Sequence, residues 1–572
     1  MALSRMTDRV VETDVLVIGG GIGGCPAAAK AAEHGLKVTL VEKGKTDRSG
    51  SAGQGIDGYG YVFPPRTRTP GIPLPAKEFA EIWEKWQRLF AGGGQFTDPN
   101  IVHKLYSNGF WALEELERLG VTSKWDDGEY HWAPLPEGEW QRINLRVHWQ
   151  NVKPQMAAAV RKRRVNILER TMVIDLLTNN GSVVGATAVN TRTGEFIVIK
   201  AKATIIATGL FARCYNPETP LFWKYKFRYH WCPATVSGDG WAIAYRAGAE
   251  LANMEITEGG SRIRDDLNIS FGNFVRGQGI PAKLFTWDGE EISPHIPVAI
   301  KYAEQEQKGK TPLYLSLEHL PDDFHKRIEV AYVDERLLSF KVAEERGFNP
   351  KTHRYDVMTN SPCDFLVPPG INTDEDFKTS LRGLYAIGDC AVGLHSCGPA
   401  VVSALLVAEG IDRFVGGVGV PDIDEAQVEN QKQAALAPMT VKDGTEPMEL
   451  ECAIRYICER YIGQFRAEGK LREGIRRLGS LRRVFLPQLM AKNPHYLMRC
   501  LEVRNMMNLV ELHIQACLER NETRVGHIRL DYPDRNPSWE KMRIYQRSDA
   551  GKAVLEVREA PKLKPEYMIE EK

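Results

Sequence analysis

The feature that most constrains the fold is a unit near the N-terminus that runs strand, glycine-rich turn, helix, strand, acid. It begins at Val15 and reads VLVIGGGIGGCPAAAKAAEHGLKVTLVEK. In such a unit Gly19 permits a tight turn, Gly21 lets the backbone approach a diphosphate, and Gly24 lets the helix pack against the strand. The helix N-terminus attracts phosphate charge, and Glu42 ends the second strand, where a carboxylate accepts hydrogen bonds from ribose hydroxyls. The unit therefore predicts a dinucleotide-binding βαβ fold.

Composition narrows the class of protein further. Of the 572 residues, 43% are hydrophobic and 26% are charged, which is typical of a globular protein. Lys plus Arg equals Asp plus Glu at 74 each, so no net charge draws the chain to nucleic acid or to an anionic membrane. No apolar run approaches the roughly 18–20 residues of a membrane span. The first residues also lack the apolar stretch of a secretory signal, so we expect a cytoplasmic location and no membrane insertion.

The cysteines bear on metal binding. The sequence has 10 of them, scattered along the chain, and none forms a Cys-x-x-Cys pair. Iron–sulfur or zinc ligation by this chain alone is therefore not expected, and reduced, mostly packed thiols are the better interpretation.

The rest of the chain divides by pattern. Alternating strands with turns at Asn180-Gly181 and Thr193-Gly194 predict a β-meander. Residues 259–365 are mixed and interrupted by prolines, and segments 448–490 and 494–520 carry apolar residues at helical spacing. One face of the second segment is formed by Leu497, Cys500, Leu501, Leu509 and Leu512. Beyond Tyr532 the chain is charged and rich in proline, which favours a tail along the surface.

These pieces, in this order, resemble the flavoprotein superfamily of fumarate reductase, succinate dehydrogenase and adenylylsulfate reductase. The shared motifs are the first βαβ unit, Ala207-Thr208-Gly209, Gly238-Asp239-Gly240, Gly388-Asp389, and the run from Arg524 to Pro533 that contains Gly526-His527. The resemblance implies an α/β fold: an FAD-binding Rossmann-like domain (βαβ, three-layer), an inserted α+β capping domain and a C-terminal helical domain. The boundaries we expect are 1–255 and 366–425 for the FAD-binding domain, 256–365 for the capping domain, 426–535 for the helical domain and 536–572 for a C-terminal tail.

The resemblance also implies FAD as the cofactor and a set of residues that bind it. A second acid-terminated strand at Asp389 argues against NAD alone, and a helix N-terminus formed by Ser403, Ala404 and Leu405 is expected near the flavin, where it would stabilise negative charge. The expected cofactor residues are Gly19, Gly21, Gly24, Glu42, Lys43, Ser49, Gly50, Gln54, Gly55, Val173, Ala207, Thr208, Gly209, Asp239, Gly388, Asp389, Ser403, Ala404 and Leu405.

Departures from the fumarate and succinate enzymes narrow the substrate. Those enzymes attach FAD covalently to a His after an Arg-Ser pair, whereas this chain has Gly50 after Arg48-Ser49, so FAD should be non-covalent. Their Leu-His-Gly-Ala-Asn-Arg pattern, which supplies a dicarboxylate-binding Arg, is replaced by Leu-His-Ser-Cys-Gly-Pro, ending at Pro399. Their His-Pro-Thr substrate motif is also missing. A dicarboxylate needs a cation at each end, so fumarate and succinate are not expected as substrates.

The alpha subunit of adenylylsulfate reductase is the better match. By that resemblance its active-site Arg falls on Arg262, with Arg264 as a second candidate, and its active-site His falls on His395. The Trp beneath the flavin falls on Trp231, and an aromatic lid residue on Phe274. One position departs from the pattern, because an Asn near flavin and substrate is replaced by Gly60.

The expected chemistry follows from these side chains. Arg262 suits a fork-like pair of hydrogen bonds to a phosphate, sulfate or carboxylate, and His395 suits an anion contact or proton transfer. Cys397 is a candidate redox thiol, although burial is the commoner role of cysteine. With no cluster-binding cysteines and no second glycine fingerprint, electrons must come from a partner, and the resemblance implies an iron–sulfur subunit. The basic residues of 466–483 fit either a solvated helix face or docking of an acidic partner in a homo- or hetero-oligomer.

Three functions stay open at this point. The first is a catalytic flavin subunit that transfers two electrons between FAD and a small anionic substrate such as adenylylsulfate. The second is a reductase or dehydrogenase of another unsaturated or hydroxylated organic acid. The third is a non-catalytic electron-transfer flavin subunit, which the replacement at Gly60 would favour.

Overall fold

The computed structural model describes residues 7–56, 58–60, 76–89, 96–132, 144–147, 149–211, 213–215, 233, 235–256, 261–264, 270–271, 283–292, 304–322, 325, 345–347, 349, 351–359, 369–393, 396–463 and 465–568. The helices in these ranges are α1 Gly24–Glu33, α2 Ala76–Leu89, α3 Pro99–Leu119, α4 Val152–Lys162, α5 Asp239–Arg246, α6 Cys397–Gly416, α7 Glu425–Leu436, α8 Pro447–Ile457, α9 Glu468–Val484 and α10 Pro494–Glu519. The strands up to residue 206 are β1 Arg9–Ile18, β2 Val38–Glu42, β3 Gly58–Gly60, β4 His131–Trp132, β5 Asn144–Arg146, β6 Asn166–Glu169, β7 Thr171–Asn179, β8 Ser182–Asn190 and β9 Phe196–Ile206. The later strands are β10 Leu251–Ala252, β11 Ser261–Arg264, β12 Ser270–Phe271, β13 Lys283–Thr286, β14 Glu291–Ile292, β15 Leu313–Ser316, β16 Arg354–Thr359, β17 Gly370–Ile371, β18 Leu384–Ala386, β19 Phe465–Arg466, β20 Ile528–Arg529, β21 Met542–Asp549 and β22 Lys552–Glu559.

A mixed sheet forms the centre of the molecule. Its order is β6-β2-β1-β9-β8-β7, and β18 also pairs with β9. The pairs β6–β2, β2–β1, β1–β9 and β9–β18 are parallel, whereas β7, β8 and β9 form the antiparallel meander that the sequence predicts. Continuous apolar runs in β1 and β9 are buried, as expected of parallel strands covered on both faces. The predicted α/β fold is confirmed.

The parallel pairing places distant segments together. β1 and β9 run side by side for most of their length, so their carboxyl ends at Ile18 and Ile206 lie next to each other. β18 adds a third carboxyl end at Ala386. Ligands of open parallel sheets bind outside these ends, where the loops after each strand meet. The glycine-rich turn, Ala207-Thr208-Gly209 and Gly388-Asp389 are those loops.

A second sheet lies within the segment expected to form the capping domain. It has six strands in the order β12-β11-β16-β15-β13-β14, and every recorded pair is antiparallel. It draws on residues 261–359 and shares no strand with the central sheet. The domain boundaries themselves stay predictions.

Helices dominate residues 447–519, as the apolar spacing of segments 448–490 and 494–520 predicts. The five apolar residues assigned to one helix face, from Leu497 to Leu512, are all buried on α10. That helix is buried on other faces too, because α8, α9 and α5 pack around it. Two buried polar residues of α10 bind charged side chains instead of solvent: Glu502 pairs with Arg213, and Asn505 Oδ1 accepts a hydrogen bond from Arg246.

The C-terminal segment differs from the surface tail that its composition suggests. Strands β21 and β22 pair along eight residues each to form a hairpin, and β21 joins β10 in a four-stranded sheet. The consecutive residues Ile544 and Tyr545 are both buried there, so β21 is covered on both faces at this point. The prolines that suggested a tail lie on either side of the hairpin, whereas charged residues also occur within both strands. Within the described ranges, no helix is both long enough and apolar enough to cross a membrane.

Candidate functional site

A cleft opens where the loops after β1, β9 and β18 meet, and it encloses about 930 Å³ of space, partly open to solvent. Most of the residues predicted to bind the cofactor line it: Gly19, Gly21, Glu42, Lys43, Gly50, Val173, Ala207, Thr208, Gly209, Asp239, Gly388 and Asp389. Sequence reasoning missed others, among them Thr171, Met172, Val236, Ile243 and Ala400. The sequence gives little indication of their role, because they belong to no recognised motif and only lie near one.

The glycine-rich turn has the geometry that its spacing predicts. Gly19 has a φ of +104°, and a Cβ there would lie 2.5 Å from the carbonyl oxygen of Ala207. Nothing lies within 4 Å of a Cβ built on Gly21, so its backbone is open to a ligand. At Gly24 a Cβ would lie 1.8 Å from the carbonyl oxygen of Gly19, which requires glycine for helix α1 to pack this closely. Turn, open approach and packing therefore fall on the three expected glycines.

Glu42 holds the turn from the end of β2. Its Oε2 accepts a hydrogen bond from the Gly20 N–H at 2.7 Å, and its Oε1 accepts one from the Gly44 N–H at 2.6 Å. Each carboxylate oxygen has further lone-pair capacity, so these bonds leave room for a ribose hydroxyl. The expected ribose contact stays a prediction.

Lys43 lines the cleft, but its ammonium group donates to protein side chains. Its Nζ donates to Ser237 Oγ at 2.8 Å, Asp239 Oδ2 at 2.6 Å and Glu502 Oε1 at 2.7 Å. Burial alone would lower the pKa of Lys43, but the charges of Asp239 and Glu502 raise it above the ordinary lysine value. Since an ammonium has three protons, none is left for a ligand. The ammonium group of Lys43 therefore holds the cleft wall together, and the expected contact of Lys43 with the cofactor stays a prediction.

This lysine belongs to a larger buried network, which we call the Lys43 cluster: Lys43, Arg213, Ser237, Asp239, Glu451 and Glu502. Glu502 Oε2 accepts from Arg213 at 2.6 Å, and Arg213 also binds Glu451 at 2.6 Å. Both glutamates are 1% exposed. The cluster joins the cofactor cleft to helices α8 and α10.

Asp389 lies in the turn that follows β18. Burial raises its pKa to about 7, against the lowering effect of a hydrogen bond from the Ser396 N–H at 3.2 Å. A carboxyl group that titrates near neutral pH can donate to, or accept from, a sugar-like hydroxyl. Its position in the cleft suits the hydroxyl-bearing chain of a flavin nucleotide.

The helix after this turn begins earlier than expected, which corrects three assignments. The sequence analysis places Ser403, Ala404 and Leu405 at the helix N-terminus, but α6 begins at Cys397. Proline is tolerated in a first helical turn, so Pro399 does not delay the start. Ser403 Oγ donates to Pro399 O at 2.7 Å and accepts from the Gly388 N–H at 3.1 Å, which ties the helix to the β18 turn.

Ala404 and Leu405 are fully buried in the body of the helix. The first-turn N–H groups, which have no partner within a helix, belong to Cys397 and Gly398 instead, whereas the Ala400 N–H donates to Ser396 O at 3.2 Å. These groups, rather than those of residues 403–405, form the positive end of α6.

Gly24, Ser49 and Gly55 are not among the described residues that line the cleft. Ser49 Oγ donates to the Gly20 carbonyl at 2.9 Å, so it supports the glycine turn from behind. Gln54 ends the 3₁₀ turn Ser51–Gln54, and its side chain lies outside the described part of the chain. Gly55 closes that turn with a φ of +120° and a hydrogen bond from its N–H to Ala52 O. Their roles in cofactor binding stay predictions.

The predicted catalytic residues are only partly described. Arg262 and Arg264 lie on strand β11, whose backbone pairs with β16, and their side chains are outside the described set. His395, Trp231 and Phe274 lie outside the described residues. Their roles therefore stay predictions.

The region around the replaced Asn is described. A Cβ on Gly398 would lie 2.0 Å from the carbonyl oxygen of Gly60, so strand β3 packs directly on the first turn of α6. Next to it, Cys397 Sγ donates to Gly58 O at 2.9 Å. The thiol is buried against β3, as expected of a packed cysteine.

The residues present fit an extended FAD. Open backbone at Gly21, the N-termini of α1 and α6, and the titrating Asp389 match a diphosphate and a hydroxyl-bearing chain. Thr208 supplies a further signal, because its buried hydroxyl has no hydrogen-bond partner among the described residues although the residue lines the cleft. Buried hydroxyls are ordinarily paired, so a ligand is the natural partner.

Comparison with known proteins supports this assignment. Residues 14–259 match the FAD binding domain family, and residues 453–566 match the family described as fumarate reductase flavoprotein C-term. A fumarate reductase (CoM/CoB) chain of Methanothermobacter marburgensis is 24% identical over 95% of this chain and 98% of its own. An L-aspartate oxidase of Yersinia pestis is 26% identical over 91% and 96%.

The fold agrees with that of a solved relative. Adenylylsulfate reductase from Archaeoglobus fulgidus superimposes with a TM-score of 0.83 at 23% identity, covering 97% of this chain and 96% of that one. The two family matches flank the capping segment; the first includes the glycine-rich turn and the loop after β9, and the second includes helices α9 and α10. The chain belongs to the fumarate reductase and succinate dehydrogenase flavoprotein superfamily and is an FAD-dependent oxidoreductase.

Proposed function

We propose that this chain is a catalytic flavoprotein subunit of the adenylylsulfate reductase type. It transfers two electrons between non-covalent FAD and a small anionic substrate, and adenylylsulfate is the first candidate. The proposal rests on the first turn of α6, which has no Arg. In the fumarate and succinate enzymes, the corresponding position is expected to supply a dicarboxylate-binding Arg.

That turn has no place for a guanidinium group here. Pro399 occupies the position of the Arg, and the preceding Gly398 packs against the carbonyl oxygen of Gly60 at a distance that excludes a side chain. A dicarboxylate whose second carboxylate met only the α6 turn would be desolvated without a cationic partner. A substrate with one anionic head is the better fit to this side of the cleft.

The candidate side chains suit such a substrate. Arg262 offers a planar fork for a sulfate or phosphate, and His395 can contact an anion or move a proton near neutral pH. FAD supplies the two-electron chemistry when bound. Adenylylsulfate takes up two electrons as the bond between its sulfur and the bridging oxygen breaks, and AMP and sulfite leave. Trp231 is assigned a place beneath the flavin by resemblance alone.

Non-covalent binding of FAD is part of the proposal. The residue after Arg48-Ser49 is Gly50, with a φ of +77°, and it has no side chain with which to form a bond. A Cβ at this position would also lie 3.1 Å from the Gly21 Cα. Acid precipitation should therefore leave all the flavin in the supernatant.

The proposal includes an iron–sulfur partner for electron exchange. Helix α9 carries exposed arginines, among them Arg472 and Arg476 at 68% and 65% exposure. Their charges are partly balanced by Glu468 and Glu473 on the same helix, and Arg466 is fully buried. The exposed basic surface of α9 is therefore smaller than the basic residues of 466–483 suggest. Co-purification is the better test of the partner.

The relatives named above favour a second candidate function. They are named fumarate reductase and L-aspartate oxidase, so a reductase or dehydrogenase of an organic acid is the alternative. A third candidate is a non-catalytic electron-transfer subunit. It predicts that the flavin exchanges electrons only with proteins and that His395→Ala leaves the rate unchanged.

One set of assays separates these functions. The purified complex is mixed with AMP, sulfite and a dye acceptor, and dye reduction is followed in the wild type, Arg262→Ala and Arg264→Ala. We expect turnover that is lost in Arg262→Ala, whereas loss in Arg264→Ala alone would move the active-site role to this second candidate on the same strand. Bleaching of the flavin signal is then followed with a panel of unsaturated and hydroxylated acids. An active complex that oxidises or reduces only these acids would overturn the adenylylsulfate proposal.

A further inference from the structure

Three donors converge on the carbonyl oxygen of Gly20, in the middle of the glycine-rich turn. Lys153 Nζ and Ser49 Oγ both donate to it, the latter at 2.9 Å, and Cys25 Sγ donates at 3.2 Å. A carbonyl has two lone pairs, so three donors saturate this one. The carbonyl is thus held firmly on the side of the turn that faces helix α4.

Lys153 differs from the other lysine near the cleft. It projects from the first turn of α4, is fully buried, and its second recorded contact is Cys25 Sγ at 3.3 Å. Whereas Lys43 meets two carboxylates, Lys153 has no carboxylate partner among the described residues. A buried ammonium held only by neutral groups is costly, unless an anion lies close to it in the loaded protein.

Peptide geometry shows where that anion would lie. The Gly20–Gly21 peptide is trans, so the Gly20 carbonyl and the Gly21 N–H point in opposite directions. With the carbonyl held toward Lys153, the Gly21 N–H points to the other side of the turn. Gly21 lines the cleft there, a Cβ on it would meet nothing within 4 Å, and no acceptor for its N–H is found among the described residues.

The peptide between Gly19 and Gly20 is also fixed, by a bond to a group of opposite charge. The Gly20 N–H donates to Glu42 Oε2 at 2.7 Å, so a carboxylate fixes one side of Gly20 and an ammonium fixes the other. Hydrogen bonds to charged groups are stronger than neutral ones and polarise the peptide that they hold. The glycine-rich turn is therefore oriented before any ligand arrives.

We propose that Lys153 is the positioning residue of the FAD diphosphate: it holds the Gly20 carbonyl from beneath the turn, aims the polarised Gly21 N–H into the cleft, and supplies positive charge behind the diphosphate. Ser49 and Cys25 assist on the same carbonyl. The inference depends on FAD binding and not on the identity of the electron-accepting substrate.

The test separates diphosphate recognition from general stability. FAD retention by the purified protein is measured after gel filtration, and ADP and adenosine are titrated into the flavin-free protein, in the wild type and in Lys153→Met. We expect FAD and ADP, which carry the diphosphate, to bind about tenfold or more weakly in the variant. Adenosine, which lacks it, should bind within about twofold of wild type.

Two further variants keep the test decisive. Lys30→Met removes another largely buried lysine, on α1, whose partners Glu115 and Glu409 are carboxylates away from the cleft. It should lower stability and leave the ratio of ADP to adenosine affinity unchanged. Ser49→Ala removes one weaker donor to the Gly20 carbonyl and should reduce ADP affinity by a smaller factor. If Lys153→Met does not fold, the ADP affinity of Ser49→Ala tests the proposal in its place.

Equal weakening of ADP and adenosine in Lys153→Met would overturn the proposal, because Lys153 would then only support the fold of the site. Unchanged ADP affinity in a folded Lys153→Met, or in Ser49→Ala where Lys153→Met does not fold, would overturn it as well.

Discussion

The buried cations around Lys43 form ion pairs with carboxylates. The buried arginines around Arg520 instead donate hydrogen bonds to carboxylates, backbone carbonyls and a neutral histidine. In the Lys43 cluster, Glu502 bridges Lys43 and Arg213, and each charge lies next to an opposite one. The second region, which we call the C-terminal arginine cluster, consists of Arg466, Arg520, Arg524 and Arg529, with Glu255, Glu522, His527 and Asp531. Four of its residues, Arg524, His527, Arg529 and Asp531, belong to the Arg-x-Gly-His-x-Arg-x-Asp motif.

His527 shows how the second cluster is satisfied. Its Nδ1 accepts from Arg466 at 2.7 Å and its Nε2 donates to the Arg520 carbonyl at 3.0 Å, which the neutral tautomer with the proton on Nε2 allows. Burial, followed by the charges of Arg466, Arg520 and Arg529, lowers the pKa of His527 well below the ordinary value. The Lys43 cluster thus shapes a cofactor wall with paired charge, while the arginine cluster ties chain segments together. The two clusters should fail differently when changed.

The largest effect is expected from Arg520→Met. Arg520 is fully buried, binds Glu255 at 2.8 Å and Glu522 at 3.0 Å, and lies over the rings of Phe96 and Trp539. Removing it leaves buried carboxylates without their partner, which costs about 3–5 kcal/mol in free energy of unfolding. Urea unfolding followed by circular dichroism measures the loss. A change below about 1 kcal/mol would show that the cluster does not hold the fold together.

A smaller effect with a different readout is expected from Glu502→Gln. Lys43 keeps Asp239 and Ser237, so the free energy of unfolding should fall by about 1–3 kcal/mol. Because Lys43 lines the cleft, FAD should also be retained less well during gel filtration. Glu451→Gln is the matched control, since Glu451 binds Arg213 but not Lys43. It should lower stability without loss of FAD, and equal flavin loss in both variants would contradict the division of roles.

His527 gives the arginine cluster a pH dependence. Its pKa is lowered in the folded protein, so below about pH 6.5 the unfolded chain takes up a proton that the folded protein does not. Stability from this group is present above that pH and falls by up to about 1.4 kcal/mol per unit as the pH drops below it. Urea midpoints at pH 5, 6 and 7 in the wild type and in His527→Gln measure the contribution. Parallel pH profiles would exclude it.

The smallest effect is expected where charge is exposed. Arg472 pairs with Glu468 at 2.7 Å on α9, and both side chains are largely in solvent. Arg472→Ala should change the free energy of unfolding by about 0.5 kcal/mol or less. The same urea assay tests it, with Arg520→Met as the comparison. A loss similar to that of Arg520→Met would mean that burial does not set the strength of these ion pairs.

Local motifs were enough to predict the fold class and half of the described residues that line the cofactor cleft. The glycine spacing in 19–24 and the acids at Glu42 and Asp389 carry their geometry in a few neighbouring residues, so the sequence pattern alone could assign them to the cleft. The buried face of α10 followed from helical spacing in the same way. The start of α6 did not, because proline is accepted in a first turn and the sequence alone does not say where that turn lies.

Residues whose role depends on distant partners were not predicted. Lys153 is separated from Gly20 by more than a hundred residues, and nothing near it in sequence marks it as part of the cleft. Lys43 was assigned to the cofactor, and only its contacts with Asp239 and Glu502 show that its protons are used by the protein. The C-terminal hairpin was missed because prolines flank it and charged residues interrupt the apolar pattern of both strands.

The sequence by itself determined that the chain binds a dinucleotide through a βαβ unit, because that geometry is encoded within about thirty consecutive residues. Only the tertiary structure decided what supports the glycine turn and what closes the α6 end of the cleft. Those features come from Lys153 beneath Gly20 and from Gly60 against Gly398, pairs that are distant in sequence. Hydrogen bonds and close packing between distant segments depend on the folded chain, since no local pattern specifies which residues will meet.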